Sequence, residues 1–127
     1  MVGIVVVSHS GELASGLAAL VAQVAGDQVR IEAVGGAPDG SLGTSGDAVR
    51  EAISRANTGE GVVVLADLGS SILTVRHLLE GQVNGHVRLA DAPLVEGAVA
   101  AAVMSSAGQP LAAVQEAAEE ARGARKL

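Results

Sequence analysis

The chain has 127 residues, the length of one domain, and it contains no Phe, Tyr, Trp or Cys. The absence of cysteine excludes disulfides, thiolate metal ligands and thiol nucleophiles. Without aromatic stacking platforms, and with a net charge of −6, the chain is a poor candidate for nucleic-acid binding. No apolar stretch has the flanks of a signal peptide or the length of a membrane span, so we expect a cytoplasmic protein without membrane contact.

The first third of the chain predicts two strands separated by a helix. A continuous β-branched run predicts a strand over Val2–Ser8 that is buried on both faces. Helical spacing of leucine and valine predicts a helix over Glu12–Ala25, which ends at Gly26. Alternating polar and apolar residues then predict a half-exposed edge strand over Val29–Val34, and a glycine-rich loop spans Gly35–Gly46.

The rest of the chain continues the alternation of helices and strands. The next helix is capped by Ser45 or Asp47 and closes near Gly59, and a strand follows over Gly61–Ala66. A helix capped by Ser70 or Ser71 then runs to Leu79, followed by a strand over Val87–Ala90. The chain ends with helices over Leu94–Ala107 and Leu111–Arg122 and a basic tail over 122–127.

This alternation predicts an α/β fold in a single domain, residues 1–127, with a doubly wound parallel sheet and helices on both faces. The first and third strands are the most continuously apolar, so we place them at the centre and predict the strand order 2-1-3-4. In that order the chain turns in opposite directions after these two strands, which opens a crevice between their carboxyl ends. His9 follows the first strand and Asp67 follows the third, so we expect both side chains at this crevice.

An imidazole and a carboxylate in this position can form a nucleophilic site. A carboxylate that accepts a hydrogen bond from one ring nitrogen fixes the tautomer and leaves the other nitrogen free to attack. Small polar residues at two helix N-termini would direct backbone N–H groups at the same place, which favours a phosphoryl group as the target. The predicted phosphoryl-binding residues are Ser8, Ser10, Gly11, Gly43, Thr44, Gly69, Ser70 and Ser71.

Each of these residues also has a purely structural interpretation. His9 could be an ordinary loop residue, Asp67 could cap the third helix, and the glycine-rich loop could be only a surface connection. The other two histidines favour the structural interpretation: His77 as a solvated surface residue and His86 as part of the entry to the fourth strand.

Three competing chemistries lack the residues that they need. A P-loop requires lysine beside Ser or Thr, but the only lysine is Lys126 in the tail. Neither strand-to-helix turn carries the Gly-x-Ser-x-Gly of a hydrolase elbow, and the dispersed histidines do not form a metal site. A histidine that carries a phosphoryl group is therefore the preferred interpretation.

Four motifs stand out along the chain: Val-Val-Ser-His-Ser at 6–10, Gly-Thr at 43–44, Asp-Leu-Gly-Ser-Ser at 67–71 and Ala-Pro-Leu-Val-Glu-Gly-Ala at 92–98. Together they resemble the mannose-type EIIA family, and within it the phosphotransferase subunits of phosphoenolpyruvate-dependent dihydroxyacetone kinases. The similarity covers essentially the whole chain.

The resemblance implies a phosphorelay through His9. HPr would phosphorylate Nε2, with Asp67 directed at Nδ1, and the phosphohistidine would rephosphorylate ADP held on a DhaL subunit. The resulting ATP would phosphorylate dihydroxyacetone on DhaK, so this chain itself would bind no cofactor. No HPr-like segment follows in this sequence, so we expect free HPr as the donor. The resemblance also implies a homodimer, with Leu94–Ala107 either at the partner surface or packed on the sheet.

Two other functions use the same crevice. The chain could be a mannose-type EIIA subunit that feeds a sugar permease, which is the same chemistry with a different acceptor. It could also be a non-enzymatic regulatory module that binds an anion.

Overall fold

The computed structural model describes residues 1–80 and 85–127, which form an α/β domain with alternating strands and helices. The elements are β1 (Gly3–Ser8), α1 (Gly11–Ala25), β2 (Ile31–Gly35), α2 (Gly46–Ala56), β3 (Val62–Ala66), α3 (Gly69–Leu79), β4 (Val87–Leu89), α4 (Leu94–Ser106) and α5 (Leu111–Glu120), followed by a 3₁₀ turn (Ala121–Gly123).

The four described strands form one parallel sheet in the order β2-β1-β3-β4, which confirms the predicted fold class and strand order. The central pair is in a register that aligns Val7 of β1 with Ala66 of β3. His9 and Asp67 therefore leave the sheet at the same edge, beyond the carboxyl ends of neighbouring strands. The half-exposed second strand lies at the edge of the sheet, as predicted.

Helices cover both faces of the sheet because successive strand residues point to opposite sides. Ile4 and Val6 pack with α1, α4 and α5, whereas Val5 and Val7 pack with α2 and α3. The apolar helix α4 packs on the sheet through its glycine and alanine face, so one of the two roles considered for this segment is confirmed.

The start of α1 lies directly against the end of β2, and this contact requires glycine at position 35. A Cβ atom on Gly35 would lie 2.5 Å from the carbonyl oxygen of Ser10 and 2.7 Å from the Cα of Gly11. These are backbone atoms, so a side chain at this position would displace the segment that follows His9.

The start of α3 differs from the prediction. The helix begins at Gly69 with Leu68 as its N-cap residue and no side-chain cap, so the prediction that Ser70 or Ser71 caps it is wrong. The physical reason is that both serine hydroxyls contact His9 instead. At α2, the Ser45 side chain accepts a hydrogen bond from the backbone N–H of Ala48 and is the cap, as one of the two alternatives predicted.

Other boundaries shift by a few residues. The second strand is Ile31–Gly35 where Val29–Val34 was predicted, α2 ends at Ala56 and not near Gly59, and the last α-helix ends at Glu120, with Arg122 in the 3₁₀ turn.

Candidate active site

His9 and Asp67 meet at the carboxyl ends of the two central strands. The distance from His9 Nδ1 to Asp67 Oδ1 is 3.0 Å. Their side chains are 22% and 15% exposed, respectively, so both are partly buried and still reach solvent. The backbone N–H of Asp67 donates to the carbonyl oxygen of Val7 at 3.1 Å, which extends the β1–β3 hydrogen bonding to the site itself. The predicted meeting of the two side chains is thus present.

The Asp67 carboxylate is surrounded by hydrogen-bond donors. Oδ2 accepts from the Ser8 hydroxyl at 2.7 Å and from the backbone N–H of His9 at 3.1 Å. Oδ1 accepts from the backbone N–H of Leu68 at 2.7 Å in addition to its contact with the ring. Partial burial raises the pKa of Asp67, but the hydrogen bonds from Ser8, Leu68, His9 and Ser71 outweigh it and lower the pKa to about 2. The carboxylate is therefore charged at neutral pH.

A charged carboxylate on Nδ1 determines which ring nitrogen of a neutral His9 is reactive. It favours the proton on Nδ1, so the lone pair lies on Nε2. Nε2 faces the hydroxyl of Ser70, which is the second residue of α3 and is exposed. The reactive nitrogen thus lies at the solvent side of the site and beside a helix N-terminus.

The N-terminus of α3 supplies backbone donors close to this nitrogen. The first intrahelical bond runs from the N–H of Ile72 to the carbonyl of Leu68. The N–H groups of Gly69, Ser70 and Ser71 precede it and have no intrahelical acceptor. Together with the positive end of the helix dipole they favour an anionic group at this position.

Ser71 lies behind the ring and is fully buried. Its hydroxyl oxygen is 3.2 Å from His9 Nδ1 and 2.8 Å from Thr44 Oγ1. Thr44 belongs to the glycine-rich loop between β2 and α2. The neighbouring N–H of Gly43 donates to the carbonyl oxygen of His9 at 3.0 Å. The loop therefore contacts both the backbone of His9 and the network around its ring.

The structure gives the predicted phosphoryl-binding residues different positions. Ser70 faces Nε2, Gly69 precedes it as the first residue of α3, and Gly43 bonds the His9 backbone. Ser8 is 1% exposed and donates to Asp67, and Ser71 and Thr44 lie on the Nδ1 side. Ser10 caps α1 by accepting from the backbone N–H of Leu13, and Gly11 is the first residue of that helix. Phosphoryl binding by these residues stays a prediction.

Sequence reasoning missed two contributors to the site. The backbone N–H of Leu68 gives Asp67 one of its shortest hydrogen bonds, but a backbone donor leaves no signal in residue type. The pairing of Thr44 with Ser71 joins segments 27 positions apart, and only the tertiary fold brings them together.

The remaining histidines lie outside the site. His77 has an 88% exposed side chain 3.6 Å from Glu80, as expected of a surface residue. The carbonyl oxygen of His86 accepts from the N–H of Val62 at the entry to β4. Across residues 1–80 and 85–127 there is no group of three or more potential metal ligands. Within the same residues, no helix combines the length and apolarity needed to cross a bilayer.

The fold and the site define an α/β domain with a histidine–carboxylate pair at the carboxyl ends of its central parallel strands. The chain belongs to the EIIA-man family, described as the fructose IIA component of the phosphotransferase system, whose model matches residues 3–115.

Two relatives of similar length are named as subunits of dihydroxyacetone kinases. The chain is 39% identical over 108 residues to the phosphoryl donor subunit DhaM of the PEP-dependent dihydroxyacetone kinase 2 from Listeria innocua, covering 83% of this chain and 86% of the relative. It is 37% identical over 114 residues to the phosphotransferase subunit DhaM of the PTS-dependent dihydroxyacetone kinase from Lactococcus lactis, covering 90% of both.

A longer relative and a solved structure extend the comparison. The DhaM subunit of Escherichia coli is 38% identical over 114 residues, which are 85% of this chain and 24% of that protein. The crystal structure of EF1359, a protein described as of unknown function, superposes with a TM-score of 0.80 at 30% identity and covers 94% of both chains.

Proposed function

We propose that this chain is the phosphocarrier of a phosphoenolpyruvate-dependent dihydroxyacetone kinase. His9 accepts a phosphoryl group from phospho-HPr and passes it to ADP held by a DhaL subunit. The observation that carries the proposal is the 3.0 Å contact between Nδ1 and Asp67, which leaves Nε2 as a nucleophile at the exposed side of the ring. The names of the relatives, phosphoryl donor and phosphotransferase subunits, support the same role.

The proposed transfer consists of two displacements at phosphorus. In the first, the bond between phosphorus and the donor breaks as the bond to His9 Nε2 forms. In the second, the P–Nε2 bond breaks as a bond forms to a terminal phosphate oxygen of ADP, which yields ATP. The Nδ1 proton remains hydrogen-bonded to Asp67 in both steps, so neither step requires a separate general base.

The electrostatics of the site suit a group that arrives and leaves again. A phosphoryl group adds close to two negative charges, and the Asp67 carboxylate adds another nearby. Their repulsion raises the free energy of the phosphorylated state, which favours onward transfer. The N-terminus of α3 offsets part of this repulsion and keeps the state accessible.

Exposed leucines flank the site and support contact with partner proteins. Leu42 precedes the glycine that bonds the His9 carbonyl, Leu68 follows Asp67, and Leu73 lies one turn after Ser70. These side chains are 75%, 64% and 64% exposed, respectively. Apolar side chains grouped on a surface mark protein–protein contacts. Both a donor protein and an acceptor subunit must approach Nε2 across this surface.

The wider assembly is part of the proposal. We place ADP and ATP on DhaL, dihydroxyacetone on DhaK, and no cofactor on this chain. We also propose a cytoplasmic homodimer, because the apolar Val95 and Val103 on the outer side of α4 are about half exposed in the single chain. Sedimentation equilibrium tests this, and a monomer at all concentrations would contradict it.

Phosphoryl uptake tests the role of His9. The protein is incubated with phosphoenolpyruvate, enzyme I and HPr, and its intact mass is measured. We expect one added phosphate that acid removes and base leaves in place. His9→Ala should abolish the addition without unfolding the domain, whereas His77→Ala, at the exposed histidine of α3, should retain it. Phosphate uptake by the His9→Ala protein would overturn the proposal, and no uptake by the wild type would favour a regulatory anion-binding module.

The choice of acceptor tests the second half of the relay. The description of the family as a fructose IIA component favours one alternative, a subunit that feeds a sugar permease. The phosphorylated protein is therefore offered DhaL–ADP or a sugar-specific EIIB domain. We expect loss of phosphate and formation of ATP with DhaL–ADP alone. Transfer to EIIB with none to DhaL–ADP would establish the alternative.

A further inference from the structure

A cavity lies between α3 and the segment that connects β4 to α4, next to the candidate active site. Its volume is about 510 Å³. The most buried residues that line it are Ala66 and Ala90, each 6% exposed. Ile72 of α3 and Leu89 of β4 also line it, and both are partly exposed. The cavity is therefore lined mainly by apolar side chains and is open to solvent.

The cavity shares Asp67 with the site around His9. This residue lies 3.0 Å from His9 Nδ1 and also lines the cavity. Arg76, another lining residue, is six positions after Ser70 in α3, or about 9 Å along the helix axis. A protein that docks over Nε2 with a standard interface of about 800 Å² per partner covers a radius of about 16 Å. A partner that reaches Nε2 therefore extends far enough to cover this cavity.

Arg76 gives the rim of the cavity an uncompensated positive charge. Across residues 1–80 and 85–127, its exposed guanidinium makes no hydrogen bond or ion pair. The two acidic residues of the cavity have other partners: Asp67 accepts the hydrogen bonds described above, and Asp91 Oδ1 is 3.2 Å from Arg122 Nη2. Arginines next to apolar pockets are among the residues that dominate binding energy in protein interfaces. The charge of Arg76 favours a carboxylate as its partner.

Two interpretations of the family indicate which partner this surface serves. A subunit of a dihydroxyacetone kinase and a subunit that feeds a sugar permease would use the same donor and the same histidine, and they differ in the acceptor. Selection of the acceptor must therefore come from surface outside the histidine–carboxylate pair. The apolar cavity and Arg76 provide such a surface, within the area that a docked acceptor covers.

We propose that the cavity between α3 and β4 is a docking site for the phosphoryl acceptor. An apolar side chain of the acceptor enters the cavity, and a neighbouring carboxylate of the acceptor protein pairs with Arg76. The terminal phosphate of ADP does not take this place, because it must lie at Nε2 beside the N-terminus of α3, whereas Arg76 lies in the last turn of that helix. The identity of the acceptor, a DhaL subunit with ADP, rests on the proposed function.

The test measures a single turnover from the phosphorylated protein to DhaL–ADP. The rate of ATP formation at increasing DhaL–ADP concentration gives a half-saturating concentration and a maximal rate. We expect Arg76→Gln to raise the half-saturating concentration about fivefold, as for loss of a partly exposed ion pair, with the maximal rate unchanged. Arg125→Gln removes the same charge from another exposed arginine without an ion pair in the described residues, and it should behave as wild type.

Further variants separate docking from a purely structural role. Arg76→Glu should raise the half-saturating concentration more than Arg76→Gln, because it repels the carboxylate of the acceptor. High salt should reduce the difference between wild type and both variants, since it screens charges at the rim. Ala92→Leu enlarges a side chain that lines the cavity and should weaken docking with no change of charge. If Ala92→Leu perturbs the fold by circular dichroism, the two variants at the exposed Arg76 carry the test.

The outcomes separate this proposal from the proposed function. Unchanged half-saturating concentrations in Arg76→Gln and Arg76→Glu would overturn the docking site. A rise of the same size for phospho-HPr in the uptake reaction, or a fall in the maximal rate alone, would overturn its role in selecting the acceptor. Failure of the proposed function is seen independently of Arg76, as phosphate uptake by His9→Ala or as transfer to EIIB with none to DhaL–ADP.

Discussion

The Ser70 hydroxyl contacts His9 Nε2, the nitrogen to which the proposed phosphoryl group would be attached. If His9 carries that group, we expect this hydroxyl to rotate away from Nε2 and to donate to a phosphoryl oxygen beside the N-terminus of α3.

Ser70→Ala tests whether this hydroxyl stabilises the phosphorylated state. We expect the equilibrium between phospho-HPr and this protein to shift about tenfold towards phospho-HPr, since a hydrogen bond to a charged group is lost at a cost of about 1.5 kcal/mol. The equilibrium is measured by intact mass at known ratios of the two proteins. Ser70→Thr keeps a hydroxyl and serves as the control, and an unchanged equilibrium in Ser70→Ala would rule out the contact.

For single residues, the sequence predicts the location of a side chain where that location follows from its position at the end of a strand. His9 and Asp67 each follow a continuous apolar strand, so their meeting could be predicted from the pattern of the two strands. Ser8 was assigned to the phosphoryl group, but its buried hydroxyl donates to Asp67. The orientation of a hydroxyl depends on neighbours from distant segments, so the local sequence pattern does not predict it.

Glycines at close approaches control how the elements surround the site. Gly35 allows the end of β2 to lie against the backbone of Ser10 and Gly11. Gly16, in the middle of α1, has open space around the position of a Cβ atom. The two glycines therefore have opposite expected responses to the same substitution.

Gly35→Ala should lower the free energy of unfolding by about 1–3 kcal/mol, because a methyl group is forced onto backbone atoms. It should also slow phosphoryl uptake, because the segment after His9 is displaced. Gly16→Ala is the matched control and should raise the free energy of unfolding by about 1 kcal/mol through helix propensity, with uptake unchanged. Urea unfolding and initial uptake rates check both. Equal stability in the two variants would contradict the close approach at Gly35.

Prediction of the start of α3 failed because a tertiary contact overrides the local capping preference. The serines near the start of α3 have the residue type of N-caps, so the sequence favours them as caps. Their hydroxyls contact His9 instead, and Leu68 takes the N-cap position without a side-chain bond. Within residues 1–80 and 85–127, the Ser45 side chain of α2 has no such competing partner, and there the capping prediction is confirmed.

Ionisation of Asp67 should make the free energy of unfolding of the whole domain depend on pH. Its pKa is lowered from 3.8 to about 2 in the folded protein, so folding favours the ionised form. The stabilisation is fully present above the unfolded pKa and is lost as the pH falls from about 4 through about 2.

Comparison with Asp67→Asn isolates this contribution. We expect the wild type to have a higher free energy of unfolding than the variant. The difference should be largest above about pH 4 and should shrink as the pH falls towards about 2. Urea unfolding at successive pH values measures it. A difference that is constant over this range would show that ionisation of Asp67 is not linked to folding.

The overall architecture could be predicted because the strands differ clearly in burial pattern. β1 and β3 are buried at every position, whereas β2 is mostly part-exposed and β4 has three residues. Continuous apolar runs place strands at the centre of a parallel sheet, and half-exposed ones belong at its edges. The same contrast in the sequence predicts the order 2-1-3-4 that the structure has.

The bond from the Asp67 amide to the Val7 carbonyl has a thermodynamic consequence. The hydrogen bonds from Ser8 and from the His9 amide to the carboxylate lie at the same end of the two central strands, so opening of that end separates the acid from the imidazole. Competence for phosphoryl transfer and protection of the Asp67 amide from deuterium exchange should then vanish together as denaturant is added. No partially unfolded state of such a domain would retain phosphoryl transfer.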